Sequence, residues 1–212
     1  MPALHLRPET ITTYEVGWEQ AITKQWQFTA AANHYLIGCP IDQVTITSGV
    51  NAGKLSFQNT PNYVGNGLGT GLTWRGEHGW RSQLDYTLQH ADAQATEGSL
   101  PNSPRHRLRW ATTVPLCENK LFWNTELTYT AHVLPVTPSG TPIPNPPLSE
   151  VPPYALLNTT IYAREFVKSW SVSATVYNLL DRNYRNAVGN EIAFGQIPMD
   201  GRTFQVKLTG RF

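Results

Sequence analysis

Cysteine is nearly absent: the 212 residues hold only Cys39 and Cys117. Two thiols cannot make a disulfide scaffold, and neither sits in a Cys-x-x-Cys or other metal-ligand spacing. The strand assignment below puts them at opposite ends of a sheet. That is beyond the roughly 7 Å Cα separation a disulfide spans, so both are expected to be free. Long apolar runs are missing too. None approaches the roughly 18 residues of a transmembrane helix, and the mean hydropathy is −0.34. A membrane wall built of strands gives the same bland average, because residues turned away from lipid dilute those turned toward it. An excess of one charge is also lacking. Lys and Arg number 16 against 15 Asp and Glu, a formal net charge of +1, which excludes a polybasic membrane anchor and gives a nucleic-acid partner no footing. No Ser-His-Asp or Cys-His arrangement stands out, so no enzyme activity is expected. The histidines (His5, His34, His78, His90, His106, His132) are scattered without ligand spacing, and no cofactor or resident metal is expected.

What the chain does have is Gly (16), Pro (16), Tyr (9) and Trp (7), the chemistry of strands and turns. The fold class is all-β. The last eleven residues alternate strictly: Phe204, Val206, Leu208 and Phe212 fall on one face, and Thr203, Gln205, Lys207, Thr209 and Arg211 on the other. Such a strand closes an outer-membrane β-barrel, or equally belongs to a soluble amphipathic sheet. Eight further segments read as strands: residues 10–19, 26–38, 63–75, 80–91, 105–114, 121–131, 154–164 and 170–180, before a ninth at 202–212. Most are about twice as long as a soluble strand of about five or six residues and match the roughly 9–11 of a tilted membrane strand. The connections alternate between short (21–25, 76–79, 116–120, 165–169) and long (39–62, 92–104, 132–153, 181–202), the pattern of short periplasmic turns and long extracellular loops. Trp18, Trp26, Trp74, Trp80, Trp123 and Trp170 all lie near short turns, as an interfacial aromatic girdle on the periplasmic side would. Residues 135–153 are Pro-rich and read as a stiff extracellular loop. The start of the chain shows no signal peptide, so the chain is expected to be a piece of a longer protein.

Two motifs then carry a resemblance. Val176-Tyr-Asn-Leu-Leu-Asp-Arg-Asn-Tyr184, followed by Ile197-Pro-Met-Asp-Gly-Arg-Thr-Phe204 and an aromatic C-terminus, resembles the end of TonB-dependent outer-membrane receptors. The opening Leu6-Arg-Pro-Glu-Thr-Ile-Thr-Thr-Tyr-Glu-Val-Gly-Trp18 is similar to one of that family's strands, and the resemblance covers essentially the whole chain. It implies an antiparallel up-and-down transmembrane barrel wall, nine strands of a 22-stranded barrel, with the N-terminal plug and the first thirteen strands absent. Residues 1–212 would thus be one partial β-barrel domain, an open curved sheet by itself.

The implied activity is energy-coupled uptake of a ferric siderophore or similar metal complex in the Gram-negative outer membrane. The partners implied are outer-membrane lipid, the barrel-assembly machinery, and TonB with ExbB and ExbD, reached only through the missing plug. A stand-alone small barrel or porin, or a soluble β-sandwich binding module, remain the alternatives. Three groups of residues are singled out. Phe204, Leu208 and Phe212 form the barrel-assembly signal the family implies. Asp85, Arg107, Arg109 and Glu126 are polar-face candidates for the lumen, pairing with the plug or lining the path. Tyr63, Arg182, Tyr184 and Arg185 lie at the long loops, where aromatic rings and guanidinium groups suit an anionic ligand.

Overall fold

The computed structural model describes residues 5–46, 48–93, 103–117, 120–134, 150–167, 169–188 and 196–211. Among these, thirteen strands form: β1 (Thr10–Ala21), β2 (Trp26–Gly38), β3 (Ile41–Thr45), β4 (Leu55–Asn59), β5 (Tyr63–Arg75), β6 (Arg81–Ala93), β7 (His106–Cys117), β8 (Leu121–Thr130), β9 (Tyr154–Val167), β10 (Trp170–Tyr177), β11 (Arg185–Ala187), β12 (Gln196–Pro198) and β13 (Thr203–Gly210). Nine of them make one antiparallel sheet in the order β1-β2-β5-β6-β7-β8-β9-β10-β13. Each long strand pairs with the next long strand in sequence, so the sheet is a meander. β1 and β13 are its two edges and do not pair with one another, so it stays open.

All nine expected strands are present, and two match to the residue. β10 stops at Tyr177 rather than running to residue 180, because Asn178 turns into the left-handed region at φ 48°. β7 runs on past residue 114 to Cys117 despite Pro115; the ladder absorbs the proline, which has no N–H to donate, by a register shift between Pro115 and Cys117. Inside the long connections stand two small hairpins, β3–β4 and β11–β12, that the pattern of alternation does not reveal. The free cysteines lie at opposite ends of the sheet, Cys39 just beyond β2 and Cys117 at the end of β7.

Register separates the side chains into two faces. One cross-strand row reads Phe28, Leu72, Leu84, Trp110, Leu127, Leu157 over six neighbouring strands. At the far edge the same face continues as Val172–Leu208, Ala174–Val206 and Val176–Phe204. The opposite face reads Gln27, Thr73, Gln83, Ala111, Glu126, Asn158, and Thr29, Gly71, Asp85, Arg109, Thr128, Leu156. No second layer covers the apolar face among the described residues: Val16, Phe204 and Val206 are each 74% exposed. A soluble domain buries such a face against another layer. The buried apolar residues (Ala91, Ala131, Val133, Val151, Val188) gather instead at the long-loop end, where Val133 and Val151 form a β-bridge.

The short connections are tight and locally satisfied. Between Ala21 and Trp26 the Thr23 hydroxyl accepts from the N–H groups of Gln25 and Trp26, both at 3.1 Å, the hydroxyl-capped turn that threonine favours. A single 3-10 turn, Glu77–Gly79, joins β5 to β6.

Candidate functional site

Asp85, Arg109 and Glu126 form a charge cluster on the polar face. Asp85 on β6 and Arg109 on β7 are direct register partners, and Glu126 on β8 lies opposite Ala111, one diagonal step away. The Arg109 Nε donates to Glu126 Oε2 at 2.8 Å, with Nη2 2.5 Å from the same oxygen. Its Nη1 lies 3.6 Å from Asp85 Oδ2. Gln83 Nε2 donates to both Asp85 oxygens at 3.1 and 3.0 Å. One guanidinium thus serves two carboxylates, as its fork of donors allows; being 48% exposed, it works against solvent screening. The network extends further. Asn158 Nδ2 donates to Glu126 Oε1 at 3.4 Å, and Asn158 Oδ1 accepts from the Asn178 N–H at 2.9 Å. A polar chain therefore crosses from β6 to the end of β10. Arg107 shares the face but not the cluster. It lines a separate concavity with Tyr154 and Asn186 and makes no ion pair among the described residues.

The four long-loop candidates do not converge. Tyr63 opens β5, and its hydroxyl donates to Asp42 Oδ2 at 3.0 Å, bracing the β3–β4 hairpin. Arg182, Tyr184 and Arg185 belong to the connection after β10, five sheet positions away, roughly 24 Å at the usual strand spacing. There Tyr184 packs on Tyr154 with ring centroids 4.7 Å apart, and Tyr154 Oη donates to Asn186 Oδ1 at 2.9 Å. Burial, and then the neighbouring Tyr154 and Asp200, hold the Tyr184 phenol above its usual pKa. Arg185 pairs with Pro198 across β11–β12.

What sequence reasoning missed is the clasp that organises this connection. Asn178 is 4% exposed. Its Oδ1 accepts from the Arg182 N–H at 2.8 Å and its Nδ2 donates to the Arg182 carbonyl at 2.9 Å and the Asp200 carbonyl at 3.5 Å. Asp181, also left-handed at φ 52°, accepts from the Arg202 N–H at 2.8 Å, immediately before β13. The signal was in the Asn-x-x-Asp spacing: both residue types tolerate the left-handed region and bond nearby backbone.

The six tryptophans expected near short turns are there. Trp26 and Trp74 are register partners with rings 6.3 Å apart, and Trp18 meets Phe28 edge-on at 6.0 Å. Trp74 and Trp80 flank the 3-10 turn. Trp170 opens β10 and lies over Gly210, where an added Cβ would come within 2.9 Å of the indole. Trp123 donates its Nε1–H to Thr159 Oγ1 at 2.7 Å, so an indole on the apolar face keeps a polar partner. The seventh, Trp110, does the same with Ser82 at 3.0 Å. Phe204 and Leu208 stand on the apolar face of β13; Phe212 lies outside the described residues. Among the described residues no group of three or more His, Cys, Asp or Glu is placed to hold a metal ion.

Comparison with known proteins agrees with this architecture. A family model described as TonB dependent receptor-like, beta-barrel, matches residues 2–179. No curated protein matches the sequence. Among solved structures, the copper transporter OprC superposes with a TM-score of 0.74 at 16% identity, over 96% of this chain and 32% of that one. A mutant of the ferric enterobactin receptor from Pseudomonas aeruginosa gives 0.73 at 21% identity, over 96% and 31%. The ferripyoverdine receptor of the outer membrane of Pseudomonas aeruginosa gives 0.70 at 14% identity, over 96% and 27%. The chain thus spans about a third or less of the length of these structures. The nine-stranded wall and the family match together place the chain: it belongs to the TonB-dependent receptor-like β-barrel family.

Proposed function

We propose that these 212 residues are the C-terminal stretch of the barrel wall of an outer-membrane receptor that imports a ferric siderophore or a related metal complex. The observation that carries the reading is the sheet itself. Its apolar face would meet lipid and its polar face would line the interior, as in outer-membrane barrels. β2 has 13 residues; at about 3.3 Å each and a tilt near 40°, it rises about 33 Å, enough to cross an apolar band of about 25 Å. Nine is an odd number, so β1 and β13 run in the same direction. Closing the sheet on itself would need a parallel seam. A wholly antiparallel barrel needs an odd number of further strands, which suits a longer receptor and not a small self-contained pore.

The role is binding and transport rather than catalysis. Asp85, Arg107, Arg109 and Glu126 would face the interior. Tyr63, Arg182, Tyr184 and Arg185 would stand at the outer mouth, and the similarity to solved ferric enterobactin and ferripyoverdine receptors supports an anionic metal chelate as ligand. TonB with ExbB and ExbD would supply energy through the remainder of the receptor, and the assembly machinery would read Phe204, Leu208 and Phe212. The test is the native mass of the product. An antibody against residues 134–153 should detect an outer-membrane band far above 23.7 kDa. A membrane band near 23.7 kDa would overturn the reading in favour of a small barrel.

A further inference from the structure

The apolar face does not stay apolar to its long-loop end. Its cross-strand rows run from Trp26 and Trp74, near the short turns, up to a row that reads Tyr14, His34, Asn66, His90 over β1, β2, β5 and β6. His106 stands on β7 one row lower, opposite Leu88. On β2, His34 is eight residues beyond Trp26; at about 3.3 Å each and a tilt near 40°, that is about 20 Å of height. An apolar band is about 25 Å tall, so indoles mark one boundary of the band and imidazoles the other. Each imidazole is held by the wall through one nitrogen. His34 Nδ1 lies 2.8 Å from Asn66 Oδ1, with Tyr14 stacked on the ring at 6.4 Å. His90 Nε2 lies 2.7 Å from Asp92 Oδ2. His106 Nδ1 lies 2.7 Å from Tyr86 Oη, and those two rings stack at 6.2 Å. An amide oxygen and a carboxylate only accept, so the engaged nitrogens of His34 and His90 carry the hydrogen, and their second nitrogens donate only when the ring is cationic. With the Tyr86 hydroxyl donating to Nδ1, His106 offers its Nε2–H even when neutral.

We infer that this belt binds a phosphorylated lipid headgroup of the outer leaflet, the second ring nitrogens of His34, His90 and His106 donating to its phosphate oxygens. The inference rests on the reading of the chain as part of an outer-membrane barrel. Two observations select that occupant. The belt is continuous with the face that meets lipid, at the height where fat gives way to headgroups. Its outward groups are also nitrogen donors on adjoining strands, which an anion engages in charge-assisted hydrogen bonds and an acyl chain does not. Asp92 is the charged side chain that faces these rings among the described residues; β1, β5 and β8 present Tyr14, Asn66 and Ala131 there. Because binding takes up protons at His34 and His90, it weakens as the pH rises through the usual imidazole range near about 6.5.

The lipid that stays with the receptor tests this. The full-length protein is extracted from native outer membranes in detergent, and its bound lipid is identified by native mass spectrometry. Wild type should retain a phosphorylated lipid below a pH of about 6.5 and release it above. The variant His34→Phe/His90→Phe/His106→Phe keeps ring bulk at the membrane boundary. Its retention should be lower by about tenfold or more, the loss expected for even one charge-assisted hydrogen bond, and should not respond to pH. Heat-sensitive gel mobility reports whether the variant is folded; if it is not, the wild-type pH series decides alone. Equal retention by the two folded proteins, wild-type retention indifferent to pH, a bound lipid without phosphate, or its release by inorganic phosphate overturns the inference. A product near 23.7 kDa would instead defeat the underlying receptor reading, and it is recognised by mass before any lipid is measured.

Discussion

Asn178 makes three side-chain hydrogen bonds to backbone groups of the described part of the last connection, and its chemistry is narrowly specified. Its backbone needs the left-handed region, its Oδ1 must accept from Arg182, and its Nδ2 must reach two carbonyls. Asn178→Ala removes the partner of part-buried backbone groups of Arg182 and Asp200, at about 0.5–1.5 kcal/mol per hydrogen bond, and adds roughly 1 kcal/mol for a Cβ-bearing residue at positive φ without a side chain that bonds locally. Thermal unfolding of the purified receptor carrying this substitution should therefore begin several degrees lower. Asn178→Asp keeps the acceptor and loses the donor, so its midpoint should fall between the two. Equal midpoints for wild type and Asn178→Ala would show that the clasp contributes nothing to the fold. The sequence displayed this residue inside a family-like motif but not its whole job, because one of its partners, Asp200, comes from the far end of a long connection.

At the scale of the element, β5 is informative because its polar face is bare: Gly65, Gly67, Gly69 and Gly71 alternate along it. The glycines are not equivalent. A Cβ at Gly65 would fall 2.0 Å from Cζ of Tyr35, its register partner on β2, whereas a Cβ at Gly69 would meet nothing within 4 Å. Gly65→Ala should displace the Tyr35 ring and lower stability. Gly69→Ala should be neutral or stabilising by about 0.5–1 kcal/mol, since alanine loses less chain entropy than glycine in a strand. Denaturant midpoints of the two variants settle the point; the same shift in both would refute the lining role of Tyr35. Strand placement of this kind was legible from the sequence, since a period of two over a dozen residues fixes both the element and its faces. The β3–β4 and β11–β12 hairpins were not. Their strands of five and three residues are too short for alternation to rise above loop composition. The charge cluster was half legible. Each of Asp85, Arg109 and Glu126 could be put on the polar face by parity, but which of them meet depends on register between strands, and single-strand patterning does not contain that. Arg107, two residues from Arg109 and on the same face, shows the difference.

For the whole molecule the open edges dominate. Along β1 and β13 one row of backbone N–H and C=O groups has no strand to pair with, and in a bilayer each such group costs several kcal/mol. Water can satisfy those groups, but water does not cover the apolar face on the same sheet. The chain alone therefore has no environment that suits both. Expressed by itself and refolded into detergent, it should yield aggregated or loosely folded material and lack the heat-sensitive gel mobility of a closed barrel. Adding the remainder of the receptor as a separate polypeptide should restore that mobility, because an odd number of added strands lets both seams form antiparallel ladders. A segment trimmed by one strand should fail even though it buries nearly as much apolar surface, since it would force a parallel seam at one edge. If the 212 residues alone gave a monodisperse, heat-modifiable species, the edges would have to be closed by some other pairing, and the odd-strand argument would fall with it.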